Sequence, residues 1–275
     1  MIIGCTYDEK VFNIEKLKSA ISKGLKSIEI SPDLSILSKS EYIDIIEFAV
    51  KYDLKINYHI PYFASARYNQ KKMISNRDLV LEKYDEFYYL LSEFNKIYTS
   101  ESIIVYHGED FNLNEDKEYE RTKEIIEYGL KKIGDLNLNC KIAIETIRGG
   151  LKRKIGDNHQ DLLYIVEEID SENLGICLDL CHDLMNSFPY DSIYSKNFLE
   201  KIIYIHAHGI DISNNLAHIS ILKSKLNLLD KIIFLNNYKS SFILNIELLS
   251  DYTGSSFFKD LFSDIKILNK IIEDI

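Results

Sequence analysis

A chain of 275 residues, 46% of them apolar, can bury one large α/β core, while its net charge of −10 argues against gripping nucleic acid with the whole surface. No stretch is long and uncharged enough to cross a bilayer, and "MIIGCTYDEKVF" has no basic segment ahead of a long apolar one, so a soluble protein without a secretory signal is expected. Four scattered cysteines, Cys5, Cys140, Cys177 and Cys181, read as reduced thiols, and the expected location is cytoplasmic.

Short strand-like runs alternate with longer amphipathic stretches along the chain. "IIGCT" comes first, then "NIEKLKSAISKG", whose apolar residues return at three and four positions as on a helix face, then "SIEIS". "EYIDIIEFAVKYD" leads to "KINYHI", "RDLVLEKYDEFYYLLSEF" to "SIIVYHG", and "YERTKEIIEYGLKKIG" to "KIAIET". "LGICLDL", "IIYIHAHG" and "FILNIELL" complete the strand-like set, and "SILKSKLNLLDKIIFLNNY" before the last fits either a helix or an extra strand. Strands alternating with helices call for parallel pairing through crossovers, and eight of them predict a single (β/α)8 TIM barrel rather than an open doubly wound sheet. Three prolines and the lack of a Gly/Ser linker mark no boundary, so one domain is expected over residues 1–275.

Groups able to bind metal stand near the carboxyl ends of six consecutive runs: His59, His107, Glu145, Asp179, His206 and Glu247. Strand side chains alternate, so each shares a face with the residue two positions earlier: Asn57, Val105, Ala143, Cys177, Tyr204 and Asn245. If that face is the barrel interior, three imidazoles and three carboxylates meet at the end where barrel active sites form. Carboxylates crowded together without counter-charge would repel and take up protons; a divalent cation removes the problem. Mixed nitrogen and oxygen donors suit zinc, manganese, cobalt or iron better than magnesium or calcium. His182, three residues after Asp179, and His218, in the loop after the seventh run, are within reach of the same cavity. His208 shares a face with His206 one step further out and reads as a supporting or substrate-contacting group, while His159 opens a helix and is expected to be solvated. "SARYNQKKMISNR" and "IRGGLKRK", which hold Arg67, Arg77, Arg148, Lys152 and Arg153, fit either a local cationic groove or two solvated loops.

The segments "YHIPYF", "VYHGE", "AIETIRGG", "GICLDLCH", "IHAHGID" and "ILNIEL" resemble the xylose isomerase-like barrels, and among them endonuclease IV, the family 2 apurinic endonucleases. The resemblance implies two or three divalent ions, zinc first and manganese or cobalt as alternatives. It implies that His59, His107 and Glu145 hold one ion. Glu145 would bridge to a second held by Asp179, His206 and Glu247, and His182 and His218 would belong to a third. It also implies hydrolysis of a phosphate ester, abasic DNA in its most specific form, with Glu145 and Glu247 as catalytic residues. Tyr62, Arg67, Arg148, Lys152, Arg153 and His208 would then contact the substrate. No membrane and no protein partner are implied.

Three departures stand against the endonuclease IV resemblance. Leu216 occupies the place of the third ion's carboxylate, "ISILKSK" replaces a glycine-rich turn, and "HAHGID" lacks a lysine; Asp211 is the nearest acidic residue to take over from the missing carboxylate. The ketose 3-epimerases of the same superfamily resemble the smaller set Glu145, Asp179, His206 and Glu247 around one ion, and Glu29 in "KSIEIS" looks like that sugar-binding branch. The alternatives are therefore a metal-dependent sugar isomerase or epimerase, and a non-catalytic barrel that binds metal or sugar phosphate.

Overall fold

The structure is a computed structural model, and it describes residues 1–61, 77–108, 115–149, 155–186, 194–214, 216–239 and 241–274. The strands are β1 (Ile2–Thr6), β2 (Ser27–Ile30), β3 (Lys55–His59), β4 (Ser102–His107), β5 (Cys140–Glu145), β6 (Leu174–Asp179), β7 (Ile202–Ala207), β8 (Gly209–Asp211), β9 (Leu216–Ile219) and β10 (Ile243–Ile246). Eight of them pair in parallel in the closed order β1-β10-β7-β6-β5-β4-β3-β2, which is the (β/α)8 barrel expected from the alternation. β8 and β9 form a separate antiparallel pair on the loop after the seventh barrel strand. The ambiguous stretch before β10 is a helix, Leu228–Tyr238, and the extra strands lie ahead of it.

Local chemistry starts the helices where the periodicity placed them. Asn13 caps the helix Ile14–Ser22 by accepting from Lys16 N, and Ser38 and Glu41 cap each other's backbone ahead of Lys39–Lys51. Asn158 does the same for His159–Ile169. Alternation divides the apolar side chains into two layers. Val105, Ala143, Cys177 and Tyr204 point inward and pack with Ile103 and Ile243 inside the barrel. Ile104, Ile142, Ile144, Ile176 and Leu244 point outward into the larger core shared with the helices. The inner layer is therefore the face that ends at His107, Glu145, Asp179 and His206.

His159 departs from expectation: it is buried, not solvated. Its Nε2 lies 2.6 Å from Asp183 Oδ1, and its ring stacks on Phe198 at 4.2 Å. Tyr194 and the buried Lys231 reach the other Asp183 oxygen at 2.6 and 3.2 Å, so the network ties neighbouring helices of the outer layer together.

The β8–β9 loop is anchored to the helix Phe257–Glu273 through Asp264, which accepts from Ser220 Oγ at 2.6 Å, Ile221 N at 3.0 Å and Leu222 N at 3.4 Å. Burial outweighs these donors and pushes the carboxyl from 3.8 up to about 6. A carboxyl raised on folding binds a proton in the folded state first, so its stabilisation is complete below about pH 4 and is lost as pH rises through about 6. Asp264→Asn should remove roughly 3 kcal/mol of that fall between pH 4 and 7. Denaturant midpoints of wild type and variant at the two pH values measure it, and parallel pH profiles would refute the assignment.

Candidate metal centre

Strand register sets the ligand pairs side by side. β4 and β5 place His107 opposite Glu145, and β6 and β7 place Asp179 opposite His206. His59 ends β3, and Glu247 follows β10, where its N–H continues the ladder to the Ala207 carbonyl at 3.0 Å. Glu145 lies at the centre of this group. Its Oε2 is 2.7 Å from His107 Nε2 and 3.5 Å from His59 Nε2, while its Oε1 is 2.6 Å from His206 Nδ1. Glu247 Oε2 stands 3.8 Å from His206 Nδ1 and 3.4 Å from His218 Nδ1.

Asp179 does two jobs with two oxygens. Oδ1 caps the helix Leu180–Met185 by accepting from Cys181 N and His182 N at 2.7 and 2.8 Å, which leaves Oδ2 facing the cavity. That helix start brings His182 back over the barrel mouth, where its Nδ1 donates to the Thr146 carbonyl at 2.9 Å, the tautomer that frees Nε2. His218 is held by the β8–β9 pair with φ +51°, a conformation costly to a non-glycine residue and met mostly where a site demands it. Gly209 allows the hairpin to close, because a Cβ there would lie 2.1 Å from the Ser220 carbonyl oxygen.

The electrostatics follow from these contacts. Burial alone would raise Glu145, but His206 and His107 outweigh it and hold the carboxyl well below its usual range. Burial likewise works against the ionised Asp179 and Glu247, and the imidazoles of His182 and His208 for the first, His218 and His206 for the second, keep both low. Burial would lower His59 and His218; Glu145 lifts the first to about 9 and Glu247 the second to about 8. Carboxylates and imidazoles thus face one another in pairs, and a divalent ion would take the place of ring protons between them.

The donors fit a cation. Asp179 Oδ2, Glu247 Oε2 and His208 Nε2 are buried without a hydrogen-bond partner, and Glu145 Oε2 faces the rings of His107 and His59. Orphaned buried acceptors are costly unless something positive sits between them. Donor atoms lie within 4.8 Å of one another in the groups His59/His107/Glu145, Glu145/Asp179/His206/Glu247, Asp179/His182/His208 and His208/His218/Glu247. All eight residues expected to bind metal from the sequence fall in these groups.

The substrate-contacting residues fare differently. Arg148 is exposed on the loop after β5, and that loop is pinned by Asn186, which accepts from Gly149 N at 2.8 Å and donates to the Ile147 carbonyl at 2.9 Å. Tyr62, Arg67, Lys152 and Arg153 lie outside the described residues. His208 is fully buried beside Asp179, a position that suits the supporting role expected of it. Asp211 does not take over from the missing carboxylate: it binds Lys225 at 2.8 Å and Ser213 at the rim of the hairpin. The four cysteines are buried and free; burial raises the thiols of Cys177 and Cys181, which disfavours the thiolate a metal needs.

Glu29 touches the cluster in a way not foreseen. It is buried, and its Oε2 accepts from His206 Nε2 at 2.8 Å, so it does not face the cavity as a free sugar-binding group. Thr6 Oγ1 and Asn245 Nδ2 hold its other oxygen, both at 3.3 Å. A carboxylate on the far nitrogen fixes the ring so that Nδ1 faces the ligand cluster. The available signal was parity: Thr6, Glu29 and Asn245 are polar residues on inward positions of three neighbouring strands. Glu29→Gln should weaken metal binding by about 10–100-fold with the fold retained, as read by competition with a chelator. Unchanged affinity would show that Glu29 does not orient His206.

Comparison with known proteins agrees with this architecture. A family model described as xylose isomerase-like TIM barrel matches residues 17–219. A protein of Carboxydothermus hydrogenoformans named probable endonuclease 4 is 27% identical over 202 residues, 68% of this chain and 66% of that one. A protein of the same name from Mycoplasma mobile is 34% identical over 108 residues, 39% of this chain and 36% of that one. The matched stretches thus span less than two thirds of these relatives' own lengths. Among solved structures, D-psicose 3-epimerase from Clostridium cellulolyticum superposes with a TM-score of 0.71 at 14% identity, covering 99% of both chains, a likeness of fold. Among the described residues no helix is long and apolar enough to cross a membrane. With the closed barrel and the match over most of its length, the chain belongs to the xylose isomerase-like TIM barrel family.

Proposed function

We propose that this chain is a divalent-metal-dependent phosphoester hydrolase of the endonuclease IV type, with two or three ions, zinc first, and abasic DNA as its most specific substrate. The observation that carries the reading is the position of Glu145 between two sets of imidazoles, His59 and His107 at one oxygen and His206 at the other. One carboxylate shared in this way suits a multinuclear centre, whereas a single ion at Glu145, Asp179, His206 and Glu247 leaves His59 and His107 without a role. The names of the two curated relatives point the same way.

Divalent ions held there would supply Lewis acidity, lowering the pKa of water and stabilising charge on the leaving oxygen. Glu145 would be shared by two such ions, and Asp179 and Glu247, from the sixth and eighth barrel strands, would help to balance their charge. The exposure of Arg148 on a pinned loop supports a role for it in meeting a phosphate. Lys152, Arg153, Arg67 and Tyr62 are assigned to the same substrate face on the sequence alone. A cytoplasmic location accompanies the reading.

A second reading is epimerisation or isomerisation of a sugar at one manganese or cobalt ion. It is favoured by the tetrad Glu145, Asp179, His206 and Glu247, which forms a donor group complete in itself. Elemental analysis and turnover separate the two. The hydrolase should carry at least two ions per chain and cleave an abasic duplex, and Arg148→Gln should weaken that substrate roughly tenfold while lowering the salt slope of binding by about one. One ion per chain, with conversion of a ketose and an uncut duplex, would replace the first reading with the second.

A further inference from the structure

We propose that His208 is a metal ligand, and that with His182 and Oδ2 of Asp179 it builds a third cation position that does not use residue 216. The inference rests on the multinuclear reading and deepens it. Leu216, where the resembled family carries a carboxylate, pairs with Asp211 in the hairpin and offers no donor atom. The opposite limb of the same hairpin brings an imidazole instead. His208 and Asp179 are both completely buried, and His208 Nε2 and Asp179 Oδ2 are each without a hydrogen-bond partner at a separation of 3.4 Å. Two donors about 2.0–2.1 Å from a tetrahedral ion stand roughly 3.4 Å apart, so the gap has the span of a shared ion.

The other atoms of the group fit that role. Asp179 Oδ1 is occupied by two backbone N–H groups, so only Oδ2 can ligate. His182 has its Nδ1 on the Thr146 carbonyl. Donor atoms of Asp179, His182 and His208 all lie within 4.8 Å of one another. His208 Nδ1 accepts from the His218 N–H at 3.2 Å and lies 3.2 Å from the Gly209 carbonyl, so Nε2 is the nitrogen turned toward Asp179, where an ion would take the place of a ring proton. The rings of His182 and His218 lie against that of His208, centroids 5.6 and 4.1 Å away. A structural histidine this deep would be expected to pair both nitrogens, and this one does not. Asp179 thereby belongs to the second and third positions together, as Glu145 belongs to the first and second. Two imidazoles and a shared carboxylate favour zinc or cobalt over manganese or magnesium.

Metal counting tests the proposal without reference to turnover. Zinc-loaded wild type, freed of excess metal, should retain three ions per chain, and His208→Gln, which fills the same space, should retain two. In a cobalt titration followed by visible absorption, the third equivalent should bind at least about 100-fold more weakly to that variant. His208→Asp, which returns a carboxylate to the position, should recover it. Two or fewer ions in the wild type, or three bound equally tightly by His208→Gln, would overturn the proposal. If His208→Gln does not fold, the wild-type count and the His208→Asp titration decide. Failure to cleave an abasic duplex, with the third ion bound as described, would refute the hydrolase reading and leave this site standing.

Discussion

Glu145→Gln is expected to abolish turnover, by roughly a thousandfold or more, and to reduce bound metal while the helical signal of the fold stays nearly unchanged. Both oxygens of this carboxylate face imidazoles of the cluster, 2.7 and 3.5 Å on one side and 2.6 Å on the other. An amide of the same shape keeps the volume, so packing beside Cys177, its partner across the sheet, is preserved. It removes the negative charge, and it presents an N–H₂ to one of the two imidazole groups. The ions would lose the ligand that sets their separation, and several kcal/mol of charge stabilisation in the transition state would go with it; about 4 kcal/mol is a thousandfold. Steady-state assay, elemental analysis and far-ultraviolet circular dichroism measure the three parts. Activity near the wild-type level would remove Glu145 from the mechanism.

The parts of the barrel that repeat were legible from the sequence. Alternation along "KIAIE" or "LGICLD" puts every second side chain on one face whatever the surroundings, so Ala143 with Glu145 and Cys177 with Asp179 were assignable before any fold was known. Caps such as Asn13, Ser38 and Asn158 added helix starts. What stayed hidden depends on contacts between distant residues. Glu29 meets His206 across 177 positions, and only closure of the barrel through β1 and β10 makes them neighbours. β8 and β9 have three and four residues, too short for a period to show, so the burial of His208 and the turned backbone of His218 had no local signature. His159 was misread for a related reason. Its place at a helix start suggested exposure, while Phe198 and Asp183, supplied by other elements, bury it.

Removing the metal should cost stability as well as activity. The stripped chain keeps Asp179 Oδ2 and Glu247 Oε2 buried without hydrogen-bond partners, and these carboxylates and that of Glu145 are stabilised by nearby imidazoles. An ion that binds the folded chain and not the unfolded one adds about 4 kcal/mol at a thousandfold excess over its dissociation constant. For a chain of 275 residues that is a rise of about 10 °C in melting temperature. Thermal unfolding in a strong chelator and in excess zinc should therefore differ by at least that much. Most of the difference should vanish in Glu145→Gln, because the first and second positions share that carboxylate, and about a third should vanish in His208→Gln. A buried polar network that is satisfied by its own hydrogen bonds would behave otherwise: the chelator would leave the melting temperature where it was, and the orphaned oxygens would need an explanation other than a cation.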